Sequence, residues 1–332
     1  MATIRQVSEH AGVSAATVSR VMNGTSRVSH DKKIKVEKAL KALGYRPQYM
    51  AKTSKRSRTG CIGIVVPELG GPFFSALLQT VEENLRRFGY HVVVTAGSNS
   101  EFSQRESIEY LLSRRVDALI LHTQLISDDY LIELQGNGCP VVLVNRFIPE
   151  MADSCINIDN ENGGKIATRH LLEMGHSKIA CITGPLSNPD ARGRLQGYRN
   201  ALECADIDFT ETLVCEGGFT QESGCLAMKK LLKRDQEFSA IFACNDHMAV
   251  GALEILRNEG IRVPDEISLI GFDNALFADY LSPALTTMQF PLEQMSAEAV
   301  QLILQKLNKN RCRVNFKLLP SLVVRESVHN LS

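Results

Sequence analysis

From Cys61 onward, short apolar runs alternate with amphipathic stretches of helical length, and nothing else in the chain restricts its fold as strongly. Cys61 to Val66, His91 to Ala96, Val116 to His122 and Val141 to Asn145 read as strands, separated by helical stretches such as Phe73 to Phe88. The pattern resumes with Ile179 to Thr183, Ala240 to Cys244 and Ile267 to Phe272, and Glu161 to Met174 and Met248 to Glu259 are among the helices between them. Such βαβ periodicity predicts an α/β body of two Rossmann-like lobes, each built on a parallel sheet. With 332 residues there is room for about two domains and a remainder.

A nucleotide-dependent enzyme is the first class such a body suggests, but its motifs are missing. The first strand runs into Pro67-Glu68-Leu69-Gly70-Gly71-Pro72 rather than a GxGxxG loop, and no GxxxxGK[ST] loop occurs. Gly163-Gly164-Lys165 opens a helix without the upstream glycine, there is no GxSxG elbow, and spacing singles out no acid/base pair. No catalytic residue is therefore assigned, and an enzyme is not expected. Nine cysteines, at positions 61, 139, 155, 181, 204, 215, 225, 244 and 312, include no CxxC pair and lie in apolar stretches, which reads as buried free thiols. The histidines form no HExxH and no Cys/His cluster, so neither a metal nor any other cofactor is expected. A hydrophobic share of 44% with 22% charged residues excludes a disordered or collagenous chain. No apolar run reaches the ~18 residues of a spanning helix. Met1 to Gly12 lacks the apolar core of a signal peptide, so a cytoplasmic protein without membrane contact is expected.

The net charge of zero conceals a split. Residues 1–60 carry 13 Lys and Arg against Glu9, Asp31 and Glu37, a balance of +10, which leaves 24 against 34, or −10, for the rest. A basic head on an acidic body points to a polyanion partner for the head alone, because neutralised phosphates supply the sequence-independent part of DNA affinity.

The head reads as three short helices. Thr3-Ile4-Arg5-Gln6 fits a capping box, Ile4, Val7 and Ala11 share one face, and Gly12 permits a tight exit. Ser14 then caps a second helix, with Val13 at the staple position opposite Val18. Val18, Val21 and Met22 face inward, which leaves Ala15, Ala16, Ser19, Arg20 and Asn23 on an outer face that is small, polar and basic. A third helix runs from Ser29 through Ile34, Val36, Ala39, Leu40 and Leu43 to Gly44. A plain helical bundle or protein adaptor fits the pattern too, but charge favours a helix-turn-helix, whose second helix enters a major groove when its first-turn side chains are short. Beyond it, Arg46 to Gly60 is polar and basic, an interdomain hinge whose Lys52, Lys55, Arg56 and Arg58 either face solvent or contact phosphates.

These residues carry a resemblance. Thr3-Ile4 with Val7, Ala11-Gly12-Val13-Ser14, Thr17-Val18-Ser19-Arg20-Val21 and Gly44-Tyr45-Arg46-Pro47 are similar to the head of the lac/gal repressor family of bacterial transcription regulators. The similarity continues through Pro72-Phe73-Phe74, Asn145-Arg146, Asp159-Asn160, Arg194-Leu195, Asn245-Asp246, Gly271-Phe272-Asp273 and Leu285-Thr286-Thr287 to Leu322-Val323-Val324-Arg325-Glu326-Ser327, nearly the whole chain. It is closest in character to the galactose and β-glucoside branch. The resemblance implies DNA contacts from Thr3, Ser14, Ala15, Ala16, Thr17, Ser19, Arg20 and Asn23, and from Tyr45, Met50 and Ser54 beyond the head. Family members kink the operator with paired leucines. Here the matching position is Ser54, whose hydroxyl cannot offset base unstacking as an apolar wedge does, with Met50 one turn earlier.

Ligands of open parallel sheets bind at the carboxyl ends of strands, where Asn145-Arg146, Asn245-Asp246 and Asp273 fall. By the resemblance, the effector site also takes Arg194, with Asp190 beside it, and Phe73, Phe74, Phe219 and Phe290. Each has a plainer reading: Arg194 as a helix-surface arginine paired with Asp190, Asn245 and Asp273 as helix caps, and the phenylalanines as core. Asn145 and Arg146 either reach the ligand or form an interlobe salt bridge, and Asp246 reads as a cap. Phe290 stands where the family often has a polar residue.

The expected architecture is a helix-turn-helix domain over residues 1–45, a hinge over 46–60 and an effector-binding and dimerisation domain over 61–332 of the periplasmic-binding-protein type. One lobe comprises about 61–158 with 291–320, the other about 159–290 with 321–332. The expected function is a homodimeric transcriptional repressor that binds near-palindromic double-stranded DNA and is released by a small sugar. A purine-type co-repressed regulator is the alternative within DNA binding, and a sugar-binding receptor or enzyme on the same fold lies outside it.

Overall fold

The computed structural model describes residues 4–22, 28–43, 58–70, 72–97, 100–234, 236–308 and 316–331. Thr3, Asn23, Gly44, Tyr45, Met50, Ser54 and Cys312 lie outside the described residues, as do Lys52, Lys55 and Arg56 of the hinge. The chain divides into two compact units, Met1–Arg58 and Thr59–Ser332.

In the first unit, α1 (Ile4–Ala11), α2 (Ala15–Met22) and α3 (His30–Ala42) enclose a small core of Val7, Ala11, Val18, Val36 and Ala39. The α1 to α2 turn depends on Gly12 at φ +63°, which lets the Val13 amide bond back to the Ser8 carbonyl at 3.1 Å. Ser14 caps α2, its Oγ accepting from the Thr17 amide at 3.2 Å. Ile34 on α3 is 37% exposed. The buried stripe of α3 runs 36, 39, 40, 43, and a residue two positions before Val36 lies on the far side of the helix.

The second unit begins with β1 (Cys61–Val66), α4 (Pro72–Arg87), β2 (His91–Ala96), α5 (Glu101–Ser113), β3 (Ala118–Leu121), α6 (Asp128–Gly136), β4 (Val141–Val144) and β5 (Cys155–Ile158). It continues with α7 (Asn160–Glu173), β6 (Ile179–Thr183), α8 (Pro189–Glu203), β7 (Val214–Glu216), α9 (Gln221–Leu232), β8 (Ala240–Ala243), α10 (Asp246–Asn258) and β9 (Ser268–Ile270). Last come β10 (Thr287–Gln289), α11 (Leu292–Asn308), β11 (Lys317–Leu318) and β12 (Ser321–Val323). One lobe is a parallel sheet in the order β11-β5-β4-β3-β1-β2, and the other a parallel sheet in the order β7-β6-β8-β9. β10 and β12 pair antiparallel beside the second sheet. The chain therefore passes between lobes three times, after β5, after β10 and after β11. β3, β4 and β8 are buried along their whole length, as strands covered by helices on both faces require.

Two helix pairs pack at glycine-to-backbone distance. A Cβ on Gly197 of α8 would stand 1.9 Å from the Glu161 carbonyl oxygen of α7, and one on Gly164 2.2 Å from the Arg194 carbonyl oxygen. α9 and α10 do the same through Gly224 and Gly251, which would meet the Met248 and Gln221 carbonyls at 2.4 and 2.1 Å. These contacts bring the first turns of α7 and α8 together at the interlobe cleft. The expectation of buried thiols holds for Cys155, Cys181, Cys215 and Cys244, whereas Cys61, Cys139 and Cys225 are partly exposed and Cys204 is exposed.

Candidate functional site

In the first unit, Ser14, Ala15, Ala16 and Arg20 are exposed on α2, and Thr17 and Ser19 are partly so, while Val18 between them is fully buried. The cap on Ser14 fixes where α2 begins, so the small side chains lie in its first turn and the guanidinium one turn later. A backbone can approach a groove closely over such a surface.

In the second unit, the strand ends converge on a line of hydrogen bonds that crosses from lobe to lobe. Asn145, at φ +58° where the chain leaves β4, donates from Nδ2 to Asp190 Oδ2 at 2.6 Å. Asn160, first residue of α7, donates to the other oxygen of Asp190 at 3.0 Å and accepts from Arg194 Nε at 2.8 Å. Arg194 Nη1 donates to the Cys244 carbonyl and, at 3.3 Å, to Asp273 Oδ1. The guanidinium lies 3.7 Å from the ring centre of Phe272 and 5.9 Å from that of Phe219. Arg194 is only 4% exposed, which overturns its reading as a surface residue, and its partner is Asp273 rather than Asp190. Burial pushes the Asp273 carboxyl up to about 6, against the pull of Arg194.

Aromatic rings form the adjoining wall. Phe73 meets Phe74, Phe290 and His122 edge to face at 5.1, 5.0 and 5.8 Å, and His122 packs on Phe74 at 5.2 Å. His122 Nδ1 is buried and has no hydrogen-bond partner among the described residues. Desolvation lowers its pKa and so favours the neutral ring, in which each nitrogen is either donor or acceptor. Phe73, Phe290 and Asp273 line a cavity of about 550 Å³ together with Asn274, Gln289 and His247. Asn145, Arg146 and Asp190 line a different cavity, and Phe219 packs under Gly184 in the second lobe.

Two further expectations are corrected. Arg146 makes no interlobe salt bridge: it donates to the Thr123 carbonyl at 3.0 Å, the Ile126 carbonyl at 2.6 Å and Asp128 at 2.5 Å, all in its own lobe. Asp246 does not cap α10. Asn245 does, its Oδ1 accepting from the Met248 amide at 2.9 Å while Nδ2 donates to the Phe219 carbonyl, so both its polar atoms are engaged. Asp246 is wholly buried instead, accepting from the Ala275 amide at 2.7 Å and the Thr287 hydroxyl at 2.5 Å, and burial next to Asp273 pushes its carboxyl up to about 8. It thereby ties the start of α10 to the loop that carries Asp273. His122 and Asn160 were not assigned to the site from the sequence, although His122 follows β3 directly and Asn160 lies two residues past the end of β5, where the strand-end rule points.

A helix-turn-helix head on a two-lobed body with a polar, aromatic-walled cleft defines the class: a DNA-binding regulator governed by a small molecule. Residues 3–48 match the family described as bacterial regulatory proteins, lacI family, and residues 168–328 match the periplasmic binding protein-like domain. The chain is 38% identical over 329 residues to the HTH-type transcriptional regulator GalR of Escherichia coli (strain K12), covering 99% of this chain and 96% of GalR. The chain belongs to the lacI family of transcriptional regulators. Among solved structures it is similar to the lac repressor dimer bound to operator and the anti-inducer ONPF, with a TM-score of 0.84, 29% identity and 99% of each chain covered. It is also similar to a transcriptional regulator CelR–cellobiose complex, with a TM-score of 0.74, 34% identity and coverage of 98% and 100%. These relatives are transcriptional regulators, not enzymes. No described helix is long and apolar enough to cross a membrane.

Proposed function

We propose that this regulator is a sugar-responsive repressor that acts in the cytoplasm as a homodimer on a near-palindromic operator, with a neutral sugar in the interlobe cleft lowering its affinity for DNA. The head over 1–45 reads bases through α2, the hinge over 46–60 connects it, and the body over 61–332 senses. The observation that carries the reading is the cleft chemistry. Asn145, Asp190, Asn160, Arg194 and Asp273 form one bonded line of amides, carboxylates and a guanidinium, beside the rings of Phe73, Phe74, His122 and Phe290. Sugars present hydroxyls to the first group and C–H faces to the second. Arg194 Nη2 takes no hydrogen bond among the described residues and is available as a donor. Two α2 helices about 34 Å apart fit successive major grooves, hence the palindrome. Similarity to GalR and to a cellobiose-bound regulator supports the sugar class.

The test is a thermal-shift panel of galactose, glucose, ribose, β-glucosides, hypoxanthine and guanine, followed by operator gel shifts with each hit. A ligand at about 100 times its Kd raises stability by about 2.7 kcal/mol. A sugar that stabilises the protein and releases operator is the expected result. A purine that stabilises it and tightens operator binding would overturn the proposal.

A further inference from the structure

On the other side of Arg194 lies a second cavity, of about 670 Å³, which shares no lining residue with the first. Arg194 stands between them, its Nε bonded to Asn160 on the second cavity and its Nη1 to Asp273 on the first. The volume is that of an ordinary small-molecule site.

Its lining has two properties that together select a ligand class. Two phenylalanine rings, Phe147 where the chain leaves β4 and Phe316 just before β11, are 60% and 39% exposed at the cavity. Such rings offer flat apolar faces to solvent, the platform on which the C–H face of a pyranose stacks. The ionic groups are four carboxylates, Asp128, Asp159, Glu161 and Asp190, against two cations, Arg146 and Lys317. Each cation is already paired with one of those carboxylates, Arg146 with Asp128 at 2.5 Å and Lys317 with Asp159 at 2.7 Å. A net balance of two negative charges repels phosphates and carboxylates, and acceptor oxygens flanked by the Asn157 and Gln124 amides suit hydroxyl groups.

We propose that this cavity is a second binding site, for a neutral pyranoside stacked on Phe147 and Phe316. Its walls come from both lobes, Phe147 from one and Pro189 and Asp190 from the other, so a ligand there binds the same lobe arrangement that the first site senses. Asn160 of the second cavity connects it physically to the first through Arg194, whose Nε bonds Asn160 and whose Nη1 bonds Asp273. The coupling rests on the cleft reading above. The second site shares Asn145, Asn160 and Asp190 with that polar line and adds Phe147, Phe316, Asp128, Asp159 and Lys317, which belong to it alone.

The chain contains no tryptophan, so a single one reports locally. Phe147→Trp keeps an aromatic platform in the second cavity, and Phe219→Trp puts a reporter at the ring that lies 5.9 Å from the Arg194 guanidinium, itself bonded to Asp273 of the first cavity. Each full-length variant is titrated with methyl β-D-glucopyranoside and with D-galactose. The expected result is two saturable responses with different midpoints. Phe147→Ala, at an exposed position that tolerates truncation, removes the second isotherm in a calorimetric titration, and in the Phe219→Trp background it leaves that midpoint within about threefold. Phe316→Ala weakens the second isotherm by about tenfold, the equivalent of about 1.4 kcal/mol. A silent Phe147→Trp reporter overturns the second site, as does one shared isotherm in both reporters that Phe290→Ala abolishes. A silent Phe219→Trp reporter beside a responding Phe147→Trp instead refutes the first cavity as the effector site and leaves the second standing.

Discussion

Replacing Arg194 with alanine tests the centre of the cleft, and its consequences can be worked from the contacts. The substitution removes donors to the Asn160 side chain, the Cys244 carbonyl and Asp273, together with the stacking on Phe272 at 3.7 Å. Asn160 is 9% exposed and Cys244 fully buried, so water does not readily replace the lost donors. Truncating one member of a buried, hydrogen-bonded ion pair costs about 3 to 5 kcal/mol. For a unit of this size that is a fall in Tm of roughly 6 to 20 °C. Effector affinity falls as well, because hydrogen bonds from a charged donor are worth about 1.5 to 3 kcal/mol each, or about 10- to 150-fold in Kd. The head is a separate unit with its own core, so operator binding without effector is expected to be unchanged below the new Tm. Differential scanning calorimetry, sugar titration and gel shift read the three quantities separately. A variant that melts like the wild type and is still released by the same sugar concentration would refute both the structural and the functional role of Arg194.

Asp246 predicts a pH dependence. Its folded pKa of about 8 lies above the unfolded value, so between about pH 4 and 8 the native state holds a proton that the unfolded state has lost. Stability therefore falls with rising pH through that window, by about 1.4 kcal/mol per unit from this group. Asp246→Asn, which can still bond Thr287 and Ala275, is expected to flatten the slope by that amount between pH 6 and 8 in urea titrations, and parallel slopes would sink the idea. Gly197→Ala sets a methyl 1.9 Å from the Glu161 carbonyl and is expected to cost about 1 to 3 kcal/mol or more by forcing α7 from α8, with weakened sugar binding as its second signature. Ser14→Ala removes the α2 cap and is expected to destabilise the head by about 1 kcal/mol, while the calorimetric transition of the body stays in place. Arg20→Ala is expected to abolish the specific footprint and leave sugar binding intact, and a wild-type footprint would show that α2 is not the reading helix.

The body's periodicity disclosed β1, β2 and β6 to the residue, because strands of five or six mainly apolar residues announce themselves. β5 and the strands from β10 to β12 have four residues or fewer and no long apolar run around them, and it is these that flank the crossings between lobes. Asn145 was legible as a strand-end residue, but the partner of its side chain was not, since Asp190 is 45 positions away and on the other lobe. The interlobe bridge expected as one alternative for Arg146 fails for the complementary reason. An arginine beside a cleft suggests a ligand or a bridge, and only the fold shows carbonyls of the neighbouring loop within reach. Asp246 and Asn245 show the limit most plainly. Either residue type can cap a helix, and the one-residue choice between them is made by Thr287 and Ala275, which no local pattern connects to them.

That the cleft's polar groups already bond one another bears on how it discriminates. Asp190 accepts from two amides, and Arg194 donates along both edges of the line, so an entering hydroxyl exchanges an existing bond for a new one. A net exchange of this kind contributes only about 0.5 to 1.5 kcal/mol, and the correct sugar gains little from each contact. The wrong sugar loses more. Once the lobes close on a ligand lacking one hydroxyl, a group such as Asp190 or His122 is left buried without a partner, at about 1 to 3 kcal/mol each. If the proposed sugar occupies this cleft, selectivity between epimers is expected to arise from orphaned protein groups rather than from stronger bonds to the favoured sugar. Asp190→Ala is accordingly expected to compress the ratio of Kd values between two epimers more than it weakens binding of the better one.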